Sequence, residues 1–339
     1  MNRIYLPCAL CLFLVVGCRE ISQPSGGWQE VESPTDKDLC SVFALSEDNA
    51  WAVGDSGVII HWDGETWSLV ESPTSERLNS VYFVSPDDGW AVGNSGIILH
   101  YDGNNWHKVE SPTYEILCSV YFLSPYEGWA VGSSGIILHY YNGKWHEAES
   151  LTSAILFDCY FLSHHNGWAV GGDLELGPVV LHYNSVQWKV IADSATLGFF
   201  GGYLSSVYFT SPTEGWVIGG LCTFYPNSRI LKYDGKTWNE EAHLSSTRLW
   251  SLHFSSSING YAVGDDKMLH YDGSEWHDVE LDLDHVGLRS VYLLSKNEGW
   301  AVGSKIFHLT HKRLLVEHKG LWYPMGANKL ILIASILFV

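Results

Sequence analysis

The chain has 339 residues, of which 46% are hydrophobic, and its formal net charge at pH 7 is −19. A surface this acidic repels phosphate backbones and anionic lipid headgroups, so it argues against nucleic-acid binding and against direct docking on a membrane surface. The length and hydrophobic content are sufficient for one large core. The 16 tryptophans are the unusual feature of the composition.

The N-terminal residues predict export. Met1–Cys18 carries one basic residue and then an apolar run that is too short to span a bilayer and is typical of a signal peptide. Its last four residues, VVGC, resemble the cleavage box of bacterial lipoproteins. That resemblance implies that residues 1–17 are a lipoprotein signal peptide, that Cys18 is lipidated and, because arginine follows it, that the protein is sorted to the outer membrane. The alternative is an ordinary signal peptide or an uncleaved anchor. Residues 18–27 are predicted to be a polar tether.

A repeat of about forty residues accounts for most of the tryptophans, and such a period signals a propeller or solenoid array. The tetrad WAVG, or a close variant of it, occurs seven times. These tetrads begin at Trp51, Trp90, Trp129, Trp168, Trp216, Tyr261 and Trp300.

Each repeat is predicted to form four short strands. In the second repeat these are Ser80–Ser85, Trp90–Gly93, Ile97–Tyr101 and Trp106–Glu110, separated by turn residues. Four strands of this length bury two apolar faces only when the sheets pack radially around an axis. The sequence therefore predicts an all-β protein, a seven-bladed β-propeller of four-stranded antiparallel blades over residues 28–317.

Closure of the ring is predicted at the two ends of this region. Trp28–Glu32 has the sequence of a fourth strand but no blade before it, whereas the last blade lacks a fourth strand of its own. We expect the N-terminal strand to complete the last blade and close the ring; the alternative is that Leu314–Glu317 takes that place. Residues 318–339 are a C-terminal tail whose apolar end is shorter than a bilayer span.

The side chains capable of chemistry recur once per blade, which predicts structural roles. A histidine of the third strand is expected to make a hydrogen bond within its blade, because metal sites need three or four converging ligands. These histidines are His61, His100, His139, His182, His270 and His308. The aspartates of the DG turns are expected to fix turn geometry, and the arginines are scattered over different blades. Cys40 and Cys118 occupy the same position in blades one and three, with a whole blade between them, and are not expected to pair. We expect no metal, no cofactor and no enzymatic activity, since none of the common catalytic motifs is present.

Three insertions mark the fourth and fifth blades. They fall in the second hairpin of blade four, in the connection between the two blades, and in the second hairpin of blade five. In a propeller these segments emerge on one face, and long aromatic loops on a rigid scaffold commonly bind partners. The predicted binding residues are Phe199, Phe200, Tyr203, Phe224 and Tyr225.

The units GWAVGNSGIILHYDGNNW and GWAVGSSGIILHYYNGKW resemble the repeats of secreted bacterial propellers of the WD40/YVTN/BNR-like superfamily. They are also similar to photosystem II assembly factor-like propellers. The resemblance runs from Trp28 to Glu317, and it implies a fold shared by binding scaffolds, assembly factors and some hydrolases. We therefore expect a monomeric, lipid-anchored envelope propeller that acts as a non-enzymatic binding or assembly scaffold for an envelope protein or glycan. The alternative is a carbohydrate-active hydrolase or lyase that uses an axial cleft.

Overall fold

The computed structural model describes residues 27–199, 201–220, 227–281 and 286–310, and the backbone of residues 315–318 and 321–324. Residues 27–311 form one compact unit, and residues 1–26 with 312–339 form a second. Cys18 lies outside the described residues. Among those that are described, no helix is long and apolar enough to cross a membrane.

The larger unit consists of strand β1 (Trp28–Val31) followed by seven antiparallel groups of strands, here called blades. Blade 1 contains β2 (Leu39–Ser46), β3 (Asn49–Gly54), β4 (Ile59–Trp62) and β5 (Trp67–Val70). Blade 2 contains β6 (Leu78–Ser85), β7 (Asp88–Gly93), β8 (Ile98–Tyr101) and β9 (Trp106–Val109). Blade 3 contains β10 (Leu117–Ser124), β11 (Glu127–Gly132), β12 (Ile137–Tyr141) and β13 (Lys144–Glu147).

The remaining blades follow the same order. Blade 4 contains β14 (Leu156–Ser163), β15 (Asn166–Asp173), β16 (Gly177–Tyr183) and β17 (Trp188–Ala192), and the short helix α1 (Ser194–Leu197) follows it. Blade 5 contains β18 (Tyr203–Ser211), β19 (Glu214–Gly220), β20 (Asn227–Tyr233) and β21 (Trp238–Ser245). Blade 6 contains β22 (Leu249–Ser256), β23 (Asn259–Gly264), β24 (Lys267–Tyr271) and β25 (Trp276–Asp278). Blade 7 contains β26 (Leu288–Ser295), β27 (Glu298–Gly303) and β28 (Ile306–Leu309). In the second unit, β29 (Leu315–His318) pairs with β30 (Leu321–Pro324).

The N-terminal strand supplies the outer strand of blade 7. β1 pairs antiparallel with β28, with Trp28 opposite Leu309 and Val31 opposite Ile306. The indole of Trp28 is buried and lies edge-on to the ring of Tyr261, with 5.3 Å between centroids. This pairing fits a seven-bladed propeller whose ring is closed by the first strand, as the sequence predicts.

The repeated tryptophans form the contacts between blades. Trp90 of blade 2 stacks on Phe122 of blade 3 at 4.8 Å and lies edge-on to Trp145 of the same blade at 5.8 Å. Trp51 makes the equivalent contacts with Phe83 and Trp106. Both faces of each sheet are therefore covered by a neighbour, which is why the first strands are apolar on both sides.

The second hairpins of the first three blades need glycine for a specific reason. In blade 2, Ser95 and Gly96 have φ of 56° and 69°. A Cβ on Gly96 would lie 2.0 Å from the carbonyl oxygen of Thr113, in the segment that leads to the next blade. The hairpin thus packs directly against the next inter-blade connection, which brings these two kinds of segment to the same end of the propeller.

Candidate binding surface at one end of the axis

Seven ring-bearing side chains of the first strands contact one another around the axis. They are Phe43, Tyr82, Tyr121, Tyr160, Tyr208, His253 and Tyr292, called here the aromatic collar. Neighbouring ring centroids are 4.4 to 5.4 Å apart, and Tyr292 contacts Phe43 at 4.7 Å. The series therefore returns to its starting point. Desolvation raises the pKa of Tyr121, Tyr160 and Tyr292, as expected for side chains enclosed at the centre of a propeller.

A belt of hydrogen bonds lies two residues before the collar on the same strands. Its members are Ser41, Ser80, Ser119, Asp158, Ser206, Ser251 and Ser290. Each side-chain oxygen accepts a hydrogen bond from a backbone N–H on the first strand of the next blade, at 3.0 to 3.4 Å. The last of these bonds joins Ser290 to Val42, so the belt also returns to its start.

Asp158 is the one carboxylate of this belt. It accepts hydrogen bonds from the hydroxyls of Ser119 and Ser206, each at 2.9 Å, and from the N–H groups of Cys159 and Val207. Desolvation raises its pKa in spite of these four donors. Glycoside hydrolysis uses two carboxylates across the scissile bond, and the other belt positions are serines. The belt therefore offers a single, fully engaged carboxylate, which does not support the axial hydrolase.

Aromatic and cationic side chains meet where the first strands begin. Tyr203 lies between Phe157 and Trp250, with ring centroids at 4.8 and 6.3 Å. The guanidinium of Arg289 lies 4.6 Å from the centroid of the Trp250 ring. Phe157, Trp250 and Arg289 occupy one repeat position, directly before the belt residue in blades 4, 6 and 7. These residues and Arg248 are called the arginine–aromatic mouth.

Asp265 holds the cationic part of the mouth in place. The Trp250 Nε1–H donates to Asp265 Oδ1 at 2.8 Å, and Arg248 and Arg289 each approach an Asp265 carboxylate oxygen at 3.9 Å. Arg248 Nε is buried without a hydrogen-bond partner among the described residues. Because two guanidinium groups share one carboxylate, this part of the mouth keeps a positive charge on an otherwise acidic protein.

Arg77 belongs to the same end of the axis. Its guanidinium lies 3.2 Å from Asp55, and its Nε donates to the Asn79 side chain at 3.1 Å. Burial raises the pKa of Cys40 to about 11, while Arg77 and Arg289 both act in the opposite direction. The arginines lie in different blades, as the sequence indicates, but three of them lie at the same end of the axis. Of the four arginines between residues 27 and 310, Arg77 and Arg248 occupy the same repeat position, directly before the buried leucine of the first strand, and Arg289 directly follows that leucine.

The structure places the predicted binding residues in different environments. Tyr203 lies at the mouth, where its backbone also pairs with Gly172 of blade 4. Phe199 is instead 6% exposed and packs with Leu197 in the core of blade 5, and the guanidinium of Arg229 lies 5.1 Å above its ring. The reason is that helix α1 turns its apolar side chains back onto the blade, so Phe199 is removed from the binding surface. Phe200, Phe224 and Tyr225 lie outside the described residues.

The repeated polar residues act within their blades. His61 Nε2 lies 3.1 Å from Asn49 Oδ1, and its ring packs on Trp51 at 4.3 Å. The partner is thus the first residue of the second strand of the same blade. Asp63 accepts hydrogen bonds from the N–H groups of Glu65 and Thr66 and so fixes its turn, as predicted. No group of three or more potential metal ligands converges in the part of the chain that the structure describes.

The chain has a β-propeller fold, and it is similar to solved propeller structures. "YCF48 bound to D1 peptide" superimposes with a TM-score of 0.67 at 18% identity and covers 86% of this chain and 99% of that chain. YCF48 from Cyanidioschyzon merolae has a TM-score of 0.63 at 19% identity, over 84% and 99% of the two chains.

Two further similar structures are a WD40 domain and an extracellular domain. The WD40 domain of Doa1 has a TM-score of 0.64 at 14% identity, over 83% and 97% of the two chains. The extracellular domain of the putative hybrid two-component system BT4673 from B. thetaiotaomicron has a TM-score of 0.67 at 11% identity, over 86% and 40%. At these identities the likeness establishes the fold alone. No protein-family model and no curated protein matches the sequence.

Proposed function

We propose that this chain is a non-enzymatic binding scaffold of the cell envelope, and that its arginine–aromatic mouth takes an extended acidic peptide segment of another protein. The observation that carries the proposal is the convergence of Tyr203, Trp250, Arg248 and Arg289 at one end of the axis. Tryptophan, tyrosine and arginine are the residue types that contribute most to protein interfaces.

The chemistry of the mouth favours a carboxylate-bearing peptide. Guanidinium groups bind carboxylates through paired hydrogen bonds, and Arg248 retains an unused buried donor at Nε. The faces of Trp250 and Tyr203 offer apolar contact beside these donors. A partner with acidic and apolar side chains in alternation satisfies both, and its carboxylates pair with guanidinium groups that outnumber the one carboxylate between them.

The comparisons support this proposal by analogy. One similar structure is YCF48 bound to a D1 peptide, so a propeller of this shape accommodates a peptide. Another similar structure is an extracellular domain. Together with the signal peptide and the lipoprotein box that ends at Cys18, this favours an exported chain that is tethered to the envelope by lipid.

The test begins with the lipidated full chain and the envelope fraction of its own cell. Crosslinking mass spectrometry identifies the partner segment, which is then synthesised and titrated against the wild type, Arg289→Ser and Trp250→Ser. Serine is the residue that blade 5 carries at this repeat position, in Ser205. Lys189→Ser removes the same charge from an exposed position of an outer strand and is the matched control.

We expect each mouth variant to weaken binding on the order of tenfold or more, as for central interface residues, and Lys189→Ser to bind like the wild type. Crosslinks confined to other surfaces would reject the mouth as the binding site. Equal affinities of the wild type, Arg289→Ser and Trp250→Ser for the peptide would also reject it.

A further inference from the structure

A cavity of about 380 Å³ opens at the opposite end of the first strands from the mouth, across blades 4, 5 and 6. Its lining includes Tyr160 and Tyr208 of the aromatic collar, Thr210, Glu214 and Ser255. The volume lies in the range of small-molecule sites, which is roughly 300 to 1,000 Å³. None of these polar residues belongs to the mouth, where the peptide is proposed to bind.

A departure from the repeat explains where the cavity comes from. The residue two positions after the collar is a branched aliphatic one in five blades and a small hydroxyl residue in two. The aliphatic residues are Leu45, Val84, Leu123, Leu162 and Leu294, and the hydroxyl residues are Thr210 and Ser255. The two small residues belong to adjacent blades, so the volume that they leave is contiguous.

The carboxylate in the cavity is held in a fixed position. Glu214 Oε2 accepts a hydrogen bond from the Thr210 hydroxyl at 2.8 Å, and Lys232 Nζ lies 3.3 Å from Oε1. Lys232 occurs where the other blades carry histidine, and its ammonium lies 4.8 Å from the centroid of the Trp216 ring. The charge of Glu214 is therefore compensated, while its oxygens keep further capacity to accept hydrogen bonds.

We propose that this cavity binds a small neutral polyol of monosaccharide size. Its lining combines the hydroxyls of Thr210 and Ser255 with those of three further serines, a compensated carboxylate and two tyrosine rings. Ring faces pack against the C–H face of a sugar, and carboxylate and hydroxyl oxygens pair with its hydroxyls. Among the described residues, those that line the cavity include no lysine or arginine, which disfavours an anion.

The test restores the residue that the other blades carry. Thr210→Leu and Ser255→Leu fill the cavity with a side chain that four equivalent positions already accept, and Val84→Leu makes the same change in blade 2, away from the cavity. The full chain and its variants are titrated calorimetrically with glucose, galactose, N-acetylglucosamine and myo-inositol, with glucuronate as the anionic probe. Thermal unfolding verifies that each variant folds.

We expect saturable binding of at least one neutral probe. Thr210→Leu and Ser255→Leu should each weaken it on the order of tenfold or more, which corresponds to about one lost buried contact. Val84→Leu and the mouth variant Arg289→Ser should bind the probe like the wild type, which separates this site from the peptide site. Absence of saturable binding by every neutral probe, preference for glucuronate, or unchanged affinity in both filled variants would overturn the proposal.

Discussion

The hydroxyl of Ser290 accepts a hydrogen bond from the backbone N–H of Val42 at 3.2 Å, although the two residues are 248 positions apart in the chain. An equivalent hydrogen bond joins each of the other pairs of successive blades. Blade 7 therefore contacts blade 1 in the same way as each blade contacts the next. Because the belt and the aromatic collar both return to blade 1, the axial end of every first strand has a fixed neighbour. The mouth and the cavity are built on the two ends of that fixed ring.

Trp28 is expected to carry much of the stability of closure. Its indole is 7% exposed and belongs to the core cluster of the last two blades. Trp28→Ala should lower the free energy of unfolding by about 3–5 kcal/mol, which is typical of large buried aromatics. Leu69→Ala, at a side chain that is 60% exposed, should change it by less than about 0.5 kcal/mol. Denaturant unfolding measures both, and equal midpoints would contradict the closure.

Asp158→Ala should destabilise the protein more than Ser80→Ala does. The first change leaves the hydroxyls of Ser119 and Ser206 and the N–H of Val207 without their acceptor, whereas the second removes the acceptor of Val120 alone. Each buried donor left unpaired costs about 1–3 kcal/mol. We expect a loss of about 3 kcal/mol or more for Asp158→Ala and about 1–2 kcal/mol for Ser80→Ala in urea unfolding. A smaller loss at Asp158 would show that its carboxylate does not hold the belt.

His253 should make stability depend on pH below neutrality. Desolvation lowers its pKa from 6.5 to about 3, and its Nδ1 accepts a hydrogen bond from the Leu293 N–H. The unfolded chain therefore binds a proton that the folded chain does not, so this contribution is complete above pH 6.5 and is lost as pH falls towards 3.

His253→Phe removes this pH-dependent contribution to stability. Phe43 shows that the collar accommodates a phenylalanine ring. The variant loses one hydrogen bond, yet its stability should fall less steeply over the same pH window, by up to ~1.4 kcal/mol per pH unit. Chemical denaturation at several pH values measures the slope. Parallel curves for the two proteins would mean that the pKa of His253 is not lowered in the folded state.

Gly96→Ala should cost more than Gly143→Ala, although both glycines have positive φ, 69° and 75°. A Cβ at position 96 would meet the Thr113 carbonyl oxygen at 2.0 Å, whereas nothing lies within 4 Å of one at position 143. The left-handed conformation costs each variant about 1–2 kcal/mol. The difference in stability between the two variants therefore reports the close contact between the second hairpin of blade 2 and the connection to blade 3. Thermal unfolding should show a clearly lower Tm for Gly96→Ala, and equal Tm values would contradict this packing.

The sequence predicts the blades well because their signals are local. The tryptophan of WAVG, the glycine of the hairpin and the alternation of Ser80–Ser85 each follow from short-range rules. It does not predict the mouth, because Arg248 and Arg289 stand on different sides of the buried leucine in their repeats and approach the same carboxylate only once the strands surround an axis. Nor does it separate Phe199, which turns inward, from Tyr203, which does not. Thr210 and Ser255 are visible departures, but the volume that they leave depends on which blades are neighbours.

Site-specific photo-crosslinking in the living cell shows whether the partner binds at the mouth. A benzophenone amino acid replaces Tyr203 at the mouth or, as the matched control, Tyr126, which is 81% exposed in a turn at the opposite end of the blades. We expect a discrete covalent adduct with another envelope protein from position 203 and none from position 126. An adduct from position 126 alone, or none from either position, would contradict it.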